Sequence, residues 1–399
     1  MVKQPDTAYS IAWIQQIADV DPAVWNSLAT AMPSPFFEWE WLHGIEASGS
    51  TGVQTGWLPY HLTIWSGPRM VAAAPLYIKG HSAGEFVFDH IWADVAARVG
   101  IKYYPKLVGM SPFTPMIGYR FLIAPDEDEK KLTTMMLDEI MALCERLRLS
   151  GCSFLFVDPR WRRQLTSYGF TSWLHQSYAW QNRGYQSFED YLAVFNANQR
   201  RNIKRERKAI GKQGVTVEVL QGEAIPPAYF PRMYDLYERT NAKFGPWGCK
   251  YLTKRFFDIL CRDYRHRLVI VAAFNGSRQG LPFGMSLLVT KGNQLYGRYW
   301  GSSRQVKSLH FNACYYTPID WAIANGIDRF DPGAGGPHKV RRGFAAIPNY
   351  SLHRFTDRRL SQIMREHIEE INRLELAQID ELNQQLPFAD RQRNSEIPT

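Results

Sequence analysis

Apolar residues recur at helical spacing over Trp25–Leu28 and over Phe36–Ile45, and Pro33 and Pro35 separate the two short helices this predicts. The period then shortens to that of strands. His61–Trp65, the turn Ser66-Gly67-Pro68 and Met70–Ile78 predict strand, turn, strand, ending in Lys79-Gly80. The pattern returns late in the chain. Leu268–Phe274, a glycine-rich turn and Phe283–Thr290 end in Lys291-Gly292, an echo that suggests an internal duplication of one hairpin.

Each hairpin leads into an aromatic segment read as a strand, Glu85–Asp89 in the first half and Leu295–Gly301 in the second. Each half then continues with a helix and a strand. Lys130–Leu149 precedes Ser153–Val157, and His310–Ala324, stopped by Gly326, precedes Arg329–Asp331. This alternation predicts two mixed α/β units. Between the halves, Ser187–Lys212 reads as one helix. Phe188, Tyr191, Leu192 and Phe195 mark its apolar face, and from Arg200 to Lys212 it carries seven basic residues and one acid. Leu360–Leu386 predicts a C-terminal helix packed on the body through Ile363, Ile368, Ile371, Leu374, Leu376, Ile379 and Leu382, with a frayed tail after Pro387.

The 399 residues suit two domains, and 45% hydrophobic against 21% charged residues supplies a core and excludes wholesale disorder. The net charge of +9 favours anionic partners such as phosphates, CoA or RNA. No apolar run reaches the ~18 residues of a membrane span, and the polar start Met1-Val-Lys-Gln-Pro-Asp lacks a signal core. Five scattered cysteines without a CxxC read as free thiols of a cytoplasmic protein, with neither a disulfide frame nor a metal site. No GxSxG elbow, P-loop or HExxH occurs, and no early Gly-x-Gly-x-x-Gly opens a helix. Hydrolase, NTPase, zinc protease and dinucleotide oxidoreductase chemistries all lose ground.

Three segments carry candidate chemistry. In Phe330–Phe344, Gly333, Gly335 and Gly336 let the backbone approach a ligand, and His338, Lys339, Arg341 and Arg342 follow at once, a composition suited to an anion or a developing oxyanion. In Leu295–Tyr316, an aromatic strand with Arg298, Tyr299 and Trp300 leads past His310 to Tyr315. Arg298 either faces a cleft or stacks on its aromatic neighbours. In the third, Glu85, Asp89, His90 and Asp94 lie among Phe86, Phe88 and Trp92, where burial could lift a carboxylate toward general-base use. Tyr104 and Lys106 follow in a proline-rich loop, and Arg201 and Lys204 of the basic helix read either as a phosphate clamp or as a solvated face.

Several of these strings occur together in a fixed order: His81-Ser82-x-Gly84-Glu85-Phe86-Val87-Phe88-Asp89, Trp92-Ala93-Asp94, Tyr103-Tyr104-Pro105-Lys106-Leu107, Pro112-Phe113-Thr114-Pro115 and Trp180-x-Asn182-x-Gly184-Tyr185. Then come the basic helix, Leu295-Tyr296-Gly297-Arg298-Tyr299-Trp300-Gly301, Leu309-His310-Phe311, Cys314-Tyr315-Tyr316 and Gly333-Ala334-x-Gly336-x-His338-Lys339-x-x-Arg342-Gly343-Phe344. From about Trp25 to Arg354 the chain resembles the FemAB-like peptidoglycan biosynthesis/recognition family of the GNAT superfamily. The resemblance implies a mixed α/β (α+β) fold of two tandem GNAT-like domains, each a twisted mixed sheet flanked by helices, plus a C-terminal helix. The expected boundaries are 1–186, 187–355 (opening on the basic helix) and 356–399.

Fem-type ligases move an amino acid from aminoacyl-tRNA onto an amine of a peptidoglycan precursor. The resemblance therefore implies an aminoacyl or acyl transferase whose donor is aminoacyl-tRNA or acyl-CoA and whose acceptor is an amine. Lys339 and His338, with the N–H groups around Gly335 and Gly336, would stabilise an oxyanion or phosphate. Asp331 or Asp89 would be the base, and Arg298, Arg341, Arg342, Arg201 and Lys204 would hold phosphates. Glu85, Trp92, Tyr104, Lys106, Tyr299, Trp300, Gly333, His310 and Tyr315 would line the substrate site.

The Fem coiled-coil arm is absent. Where the family pattern has Phe-Glu the chain has Phe311-Asn312, and where it has Gly-Glu-His-Lys the chain has Gly336-Pro337-His338-Lys339. The two missing acids favour a competing reading, a non-catalytic protein that binds a precursor or RNA. A third reading is an acetyl-CoA-dependent N-acetyltransferase. It meets the difficulty that Ser303–His310, where a pyrophosphate loop would lie, has no glycine.

Overall fold

The computed structural model describes residues 9–245, 248–276 and 280–389. Most of the tail expected after Pro387 lies outside them. The chain divides into two compact units. One runs to His175 and includes Asn349–Glu375; the other covers Gln176–Pro348 and resumes at Leu376. The strands are β1 (Tyr9–Ile14), β2 (Trp57–Pro59), β3 (His61–Ser66), β4 (Arg69–Ala74), β5 (Leu76–Lys79), β6 (Lys106–Gly109), β7 (Leu122–Ile123), β8 (Gly151–Phe154), β9 (Thr171–Gln181), β10 (Val215–Gln221), β11 (Leu268–Asn275), β12 (Gly284–Lys291), β13 (Gln294–Ser302), β14 (Arg329–Asp331) and β15 (Ala345–Phe355). Among the described residues no helix is long and apolar enough to cross a membrane.

In the first unit, β1-β3-β4-β7 form an antiparallel sheet, and the order β2-β5-β6-β8-β15 builds a mixed one. Met70–Ile78, expected as one strand, is two. Pro75, which has no N–H to give a ladder, separates β4 from β5, and the two strands join different sheets. In the second unit the order is β10-β11-β12-β13-β14-β9.

Each unit contains one parallel pair, β6 with β8 and β13 with β14. Each pair is joined by a helical crossover, through Glu129–Arg146 in the first unit and through residues 309–324 in the second. Each pair is flanked by an antiparallel strand, β15 on β8 and β9 on β14. The strand that ends in the Lys-Gly doublet is antiparallel to the first member of each pair, β5 on β6 and β12 on β13, so the Lys-Gly hairpins recur at matching places in the two units. The expected fold class, a mixed α/β architecture in two units, is the observed one.

Glu85–Asp89 is not a strand. Gly84 has φ +83 and Phe86 φ +58, so the backbone coils, and Asp89 becomes the residue before the helix His90–Arg98. The basic segment is two helices, Phe188–Ala193 and Ala197–Gly211. Asn196 ends the continuity by capping the second, its side chain accepting from Gln199 N at 2.9 Å. The C-terminal helix Arg358–Gln384 buries Leu360, Met364, Ile368 and Ile379, whereas Leu374 and Leu376 are exposed.

Candidate functional site

In the second unit, β13 and β14 run parallel with Gln294, Leu295 and Tyr296 opposite Arg329, Phe330 and Asp331. There β14 stops, because Pro332 cannot extend the ladder, while β13 continues to Ser302. The two strands part at their carboxyl ends, the position where open sheets receive ligands. Gly297 permits the closeness of the parting chains: a Cβ there would lie 3.4 Å from the Pro332 carbonyl. Arg298 is the extra residue of a bulge, since Tyr299 pairs with Leu287 and Gly297 with Leu288.

The turn after β14 is tied from both sides. Gly333 N donates to Asp331 Oδ1 at 2.9 Å, and the Lys339 ammonium donates to Gly333 O. Gly333 and Gly335 have φ +79 and +139. A Cβ on Gly335 would sit 3.3 Å from Lys339 Nζ, so the bare glycine leaves room for the ammonium. Gly335→Ala is therefore expected to cost about 1–3 kcal/mol through backbone strain and to displace Lys339. A melting curve and a transfer assay check the two parts separately.

Lys339 is 1% exposed. Burial pushes its ammonium down to about 8, with Asp331 and the Cys314 thiol pulling the other way. Burial raises the Asp331 carboxyl, opposed by the Gly333 N–H, Arg329, Lys339 and Arg298. His310 is lowered to about 4 by burial and by His338, Arg342 and Lys339, and His338 is lowered by burial, Lys339 and Arg342. Burial and the neighbouring cations favour the neutral form of both imidazoles, and Lys339 carries the positive charge beside them.

The crossover helix contains a π-helical stretch, Asn312–Tyr316, a distortion often found at functional sites. It presents Tyr315, whose hydroxyl lies 2.9 Å from His338 Nε2, and Tyr316, whose hydroxyl donates to Glu206. His310 lies between Trp300 and His338, at ring separations of 5.6 and 6.1 Å. Lys339, His338, Asp331, Gly333, Gly335, Gly336, Trp300, His310 and Tyr315 are thus brought together where β13 and β14 part, whereas Arg298 lies 5.2 Å over the Tyr299 ring, the stacked alternative of the two expected for it.

Several expected residues have other work. Arg342 is buried, bonds both Glu206 oxygens at 3.0–3.1 Å and lies 3.3 Å over the Phe311 ring, so its guanidinium is committed inside the protein and does not hold a ligand phosphate. Tyr299 turns to Tyr237 and Phe257. Arg341, Arg201 and Lys204 are exposed, and Lys204 pairs with Glu189 at 2.9 Å. Asn312, at the place of a missing acid, is buried and donates to the Glu206 and Ser308 carbonyls. Glu206 is the residue that sequence reasoning passed over. Its signal was a single acid in an otherwise basic run.

Glu85, Asp89, Trp92, Tyr104 and Lys106 belong to the first unit. Lys106, at the amino end of β6, bonds Glu85 Oε2 at 2.8 Å, Ser82 Oγ at 3.0 Å and Asp89, while Tyr103 donates to Asp89 at 2.7 Å and Ser82 bonds Tyr104 at 2.8 Å. Burial works to raise the Asp89 carboxyl, but Lys106 and the Ser82 and Tyr103 hydroxyls outweigh it and hold Asp89 low. A buried carboxylate so engaged is a poor base for a substrate amine. The carboxyl end of the β6/β8 pair is filled: a Cβ on Gly109 would strike the Tyr119 hydroxyl and the Phe154 ring.

The sequence matches the FemAB-like family model, described as peptidoglycan biosynthesis/recognition, over residues 16–390. No curated protein matches it. Among solved structures, FemX is 11% identical with a TM-score of 0.54, the match covering 88% of this chain and 99% of that one. The C-terminal domain of a putative lysylphosphatidylglycerol synthetase from Agrobacterium fabrum is 8% identical with a TM-score of 0.50, covering 88% and 96%. A tandem GNAT protein from the clavulanic acid biosynthesis pathway is 11% identical with a TM-score of 0.46, covering 88% and 99%. At identities this low, the first two likenesses speak for the fold alone.

Proposed function

The chain belongs to the FemAB-like family, and from that membership we propose that it is a cytoplasmic N-acyltransferase passing an aminoacyl group from aminoacyl-tRNA to an amine of a peptidoglycan precursor. The observation that carries this reading is the parting of β13 and β14 at their carboxyl ends, where Lys339 and His338 flank bare glycines. The acceptor nitrogen attacks the ester carbonyl carbon, a C–N bond forms and the C–O bond breaks. The nitrogen loses one proton and the departing oxygen gains one. Charge builds on the carbonyl oxygen between these events, and the Lys339 ammonium and a His338 ring N–H are donors held in place for it. Asp331 is committed to Gly333 and serves to hold the turn.

The outer face of the helix Ala197–Gly211 suits the donor. Arg201, Lys208 and the following Lys212 are exposed, and the one acid of the run, Glu206, faces Arg342. Neutralising Arg201, Lys208 and Lys212 together should weaken tRNA binding at low salt and lower the slope of log K against log salt by about 2–3. An unchanged slope in a filter-binding titration removes this face from the donor site.

The decisive experiment is incubation of the protein with a mixed pool of labelled aminoacyl-tRNA and a muramyl-peptide precursor, with acetyl-CoA as a second donor arm. Label in the precursor supports the reading. Acetylated product alone moves the assignment to the CoA-dependent branch. The absence of two acids, at Asn312 and Pro337, favours a second reading, a binding protein. Retention of precursor or tRNA with no label transferred selects it.

A further inference from the structure

We propose that Tyr315 is a positioning residue whose hydroxyl holds His338 as the Nδ1–H tautomer, aiming that N–H at the glycine turn beside Lys339. Tyr315 is 4% exposed, and its ring is fixed between His310, at 5.3 Å, and Phe344, at 5.4 Å. Its hydroxyl meets His338 Nε2 at 2.9 Å, the one hydrogen bond it makes among the described residues. A neutral imidazole has one N–H, and the bond made by one ring nitrogen decides where it sits. If Nε2 carried the hydrogen, the phenol oxygen would accept it and the buried phenol proton would be left without an acceptor among the described residues, a costly arrangement. The phenol therefore donates to Nε2, and the hydrogen of the ring goes to Nδ1. That nitrogen lies 3.6 Å from where a Gly336 side chain would begin, on the turn whose neighbour Gly335 leaves room for Lys339 Nζ.

Both ends of the assignment need this chain's charge pattern. Burial, Lys339 and Arg342 all disfavour the imidazolium. The ring thus remains a single donor, whose direction Tyr315 sets. Free histidine prefers Nε2–H, so the tautomer inferred here is one the protein must impose. Its use as a donor to the oxyanion rests on the transferase reading; the tautomer itself does not.

Two-bond hydrogen–nitrogen correlation spectra of protein labelled with ¹⁵N-histidine at pH 7 test the tautomer directly, with the His338 peaks identified by their loss in His338→Asn. The expected pattern is a protonated Nδ1 and a bare Nε2 in the wild type. Tyr315→Phe should carry the ring to Nε2–H or to an exchanging mixture, and should lower kcat about tenfold with KM for the acceptor little changed. An Nε2–H ring in the wild type overturns the proposal, as does an unaltered Nδ1–H ring in Tyr315→Phe. If no transfer is detected in the wild type, the transferase reading fails while the spectra still decide the tautomer.

Discussion

Lys339→Met should lower the single-turnover rate of acyl transfer by about 10²–10³, the usual cost of losing one donor to a developing oxyanion, while leaving the protein folded. The asymmetry follows from where the charge sits. Lys339 is buried, and burial has already pushed its ammonium down to about 8. The charge therefore costs the folded state stability below pH 8, and that cost is relieved as pH rises from about 8 to the ordinary lysine value, so stability rises with pH in that window. Methionine keeps the stem in place and removes the charge, so a melting curve at pH 7 should show no loss. Activity runs the other way. The ammonium is the working form, so the wild-type rate should fall as pH rises through about 8. Lys339→Arg should lose that decline, even if its bulk slows the reaction at every pH. A Lys339→Met enzyme working at the wild-type rate removes Lys339 from the chemistry.

Much of this site was legible in the residues, and the reasons differ from segment to segment. The glycine turn and its cations are contiguous, so their proximity needed no tertiary knowledge. Arg298 and Asp331 come together because β13 and β14 are parallel and in register, a relation implied by strand, helix, strand. The pairing of Glu206 with Arg342 joins residues 136 positions apart, and no local pattern announces it. Glu85–Asp89 misled because alternating Phe86 and Phe88 imitate a strand, whereas the carboxylates fold inward to a lysine on β6. The helices Pro159–Thr166, Tyr229–Ala242 and Lys254–Asp263 went unread, and so did β9 and β15. Both of those strands pair with partners far away in sequence, so their cause is tertiary.

Removing the Lys106 ammonium should cost about 3–5 kcal/mol, the usual loss when one member of a buried ion pair is deleted, whereas Lys79→Met should change stability by about 1 kcal/mol, the net worth of one hydrogen bond. The two lysines face each other across β5 and β6, and both are buried. Their partners separate them. Burial works against the Lys106 charge, but Glu85 and Asp89 outweigh it and raise the ammonium above its ordinary value. Lys79 has a carbonyl, Ala83 O at 3.1 Å, and the Trp57 ring at 3.6 Å, and burial pushes it down to about 7. Deleting Lys106 strands two carboxylates in the interior; deleting Lys79 strands nothing. The pH dependence gives a second handle. Burial lifts Glu85 to about 7, against the pull of Lys106. A carboxyl raised in the folded state contributes stability that is complete below its unfolded value and disappears as pH rises through 7. Without Lys106 that loss deepens, so the deficit of Lys106→Met should be larger at pH 8 than at pH 5. Lys79→Met should do best against wild type below pH 7, where the wild type must bury a charged Lys79. Urea midpoints with unchanged slopes, taken at both pH values, measure all four quantities. Equal losses for the two variants would mean that the cluster is no ion pair at all, and that Lys106 stabilises the first unit by packing alone.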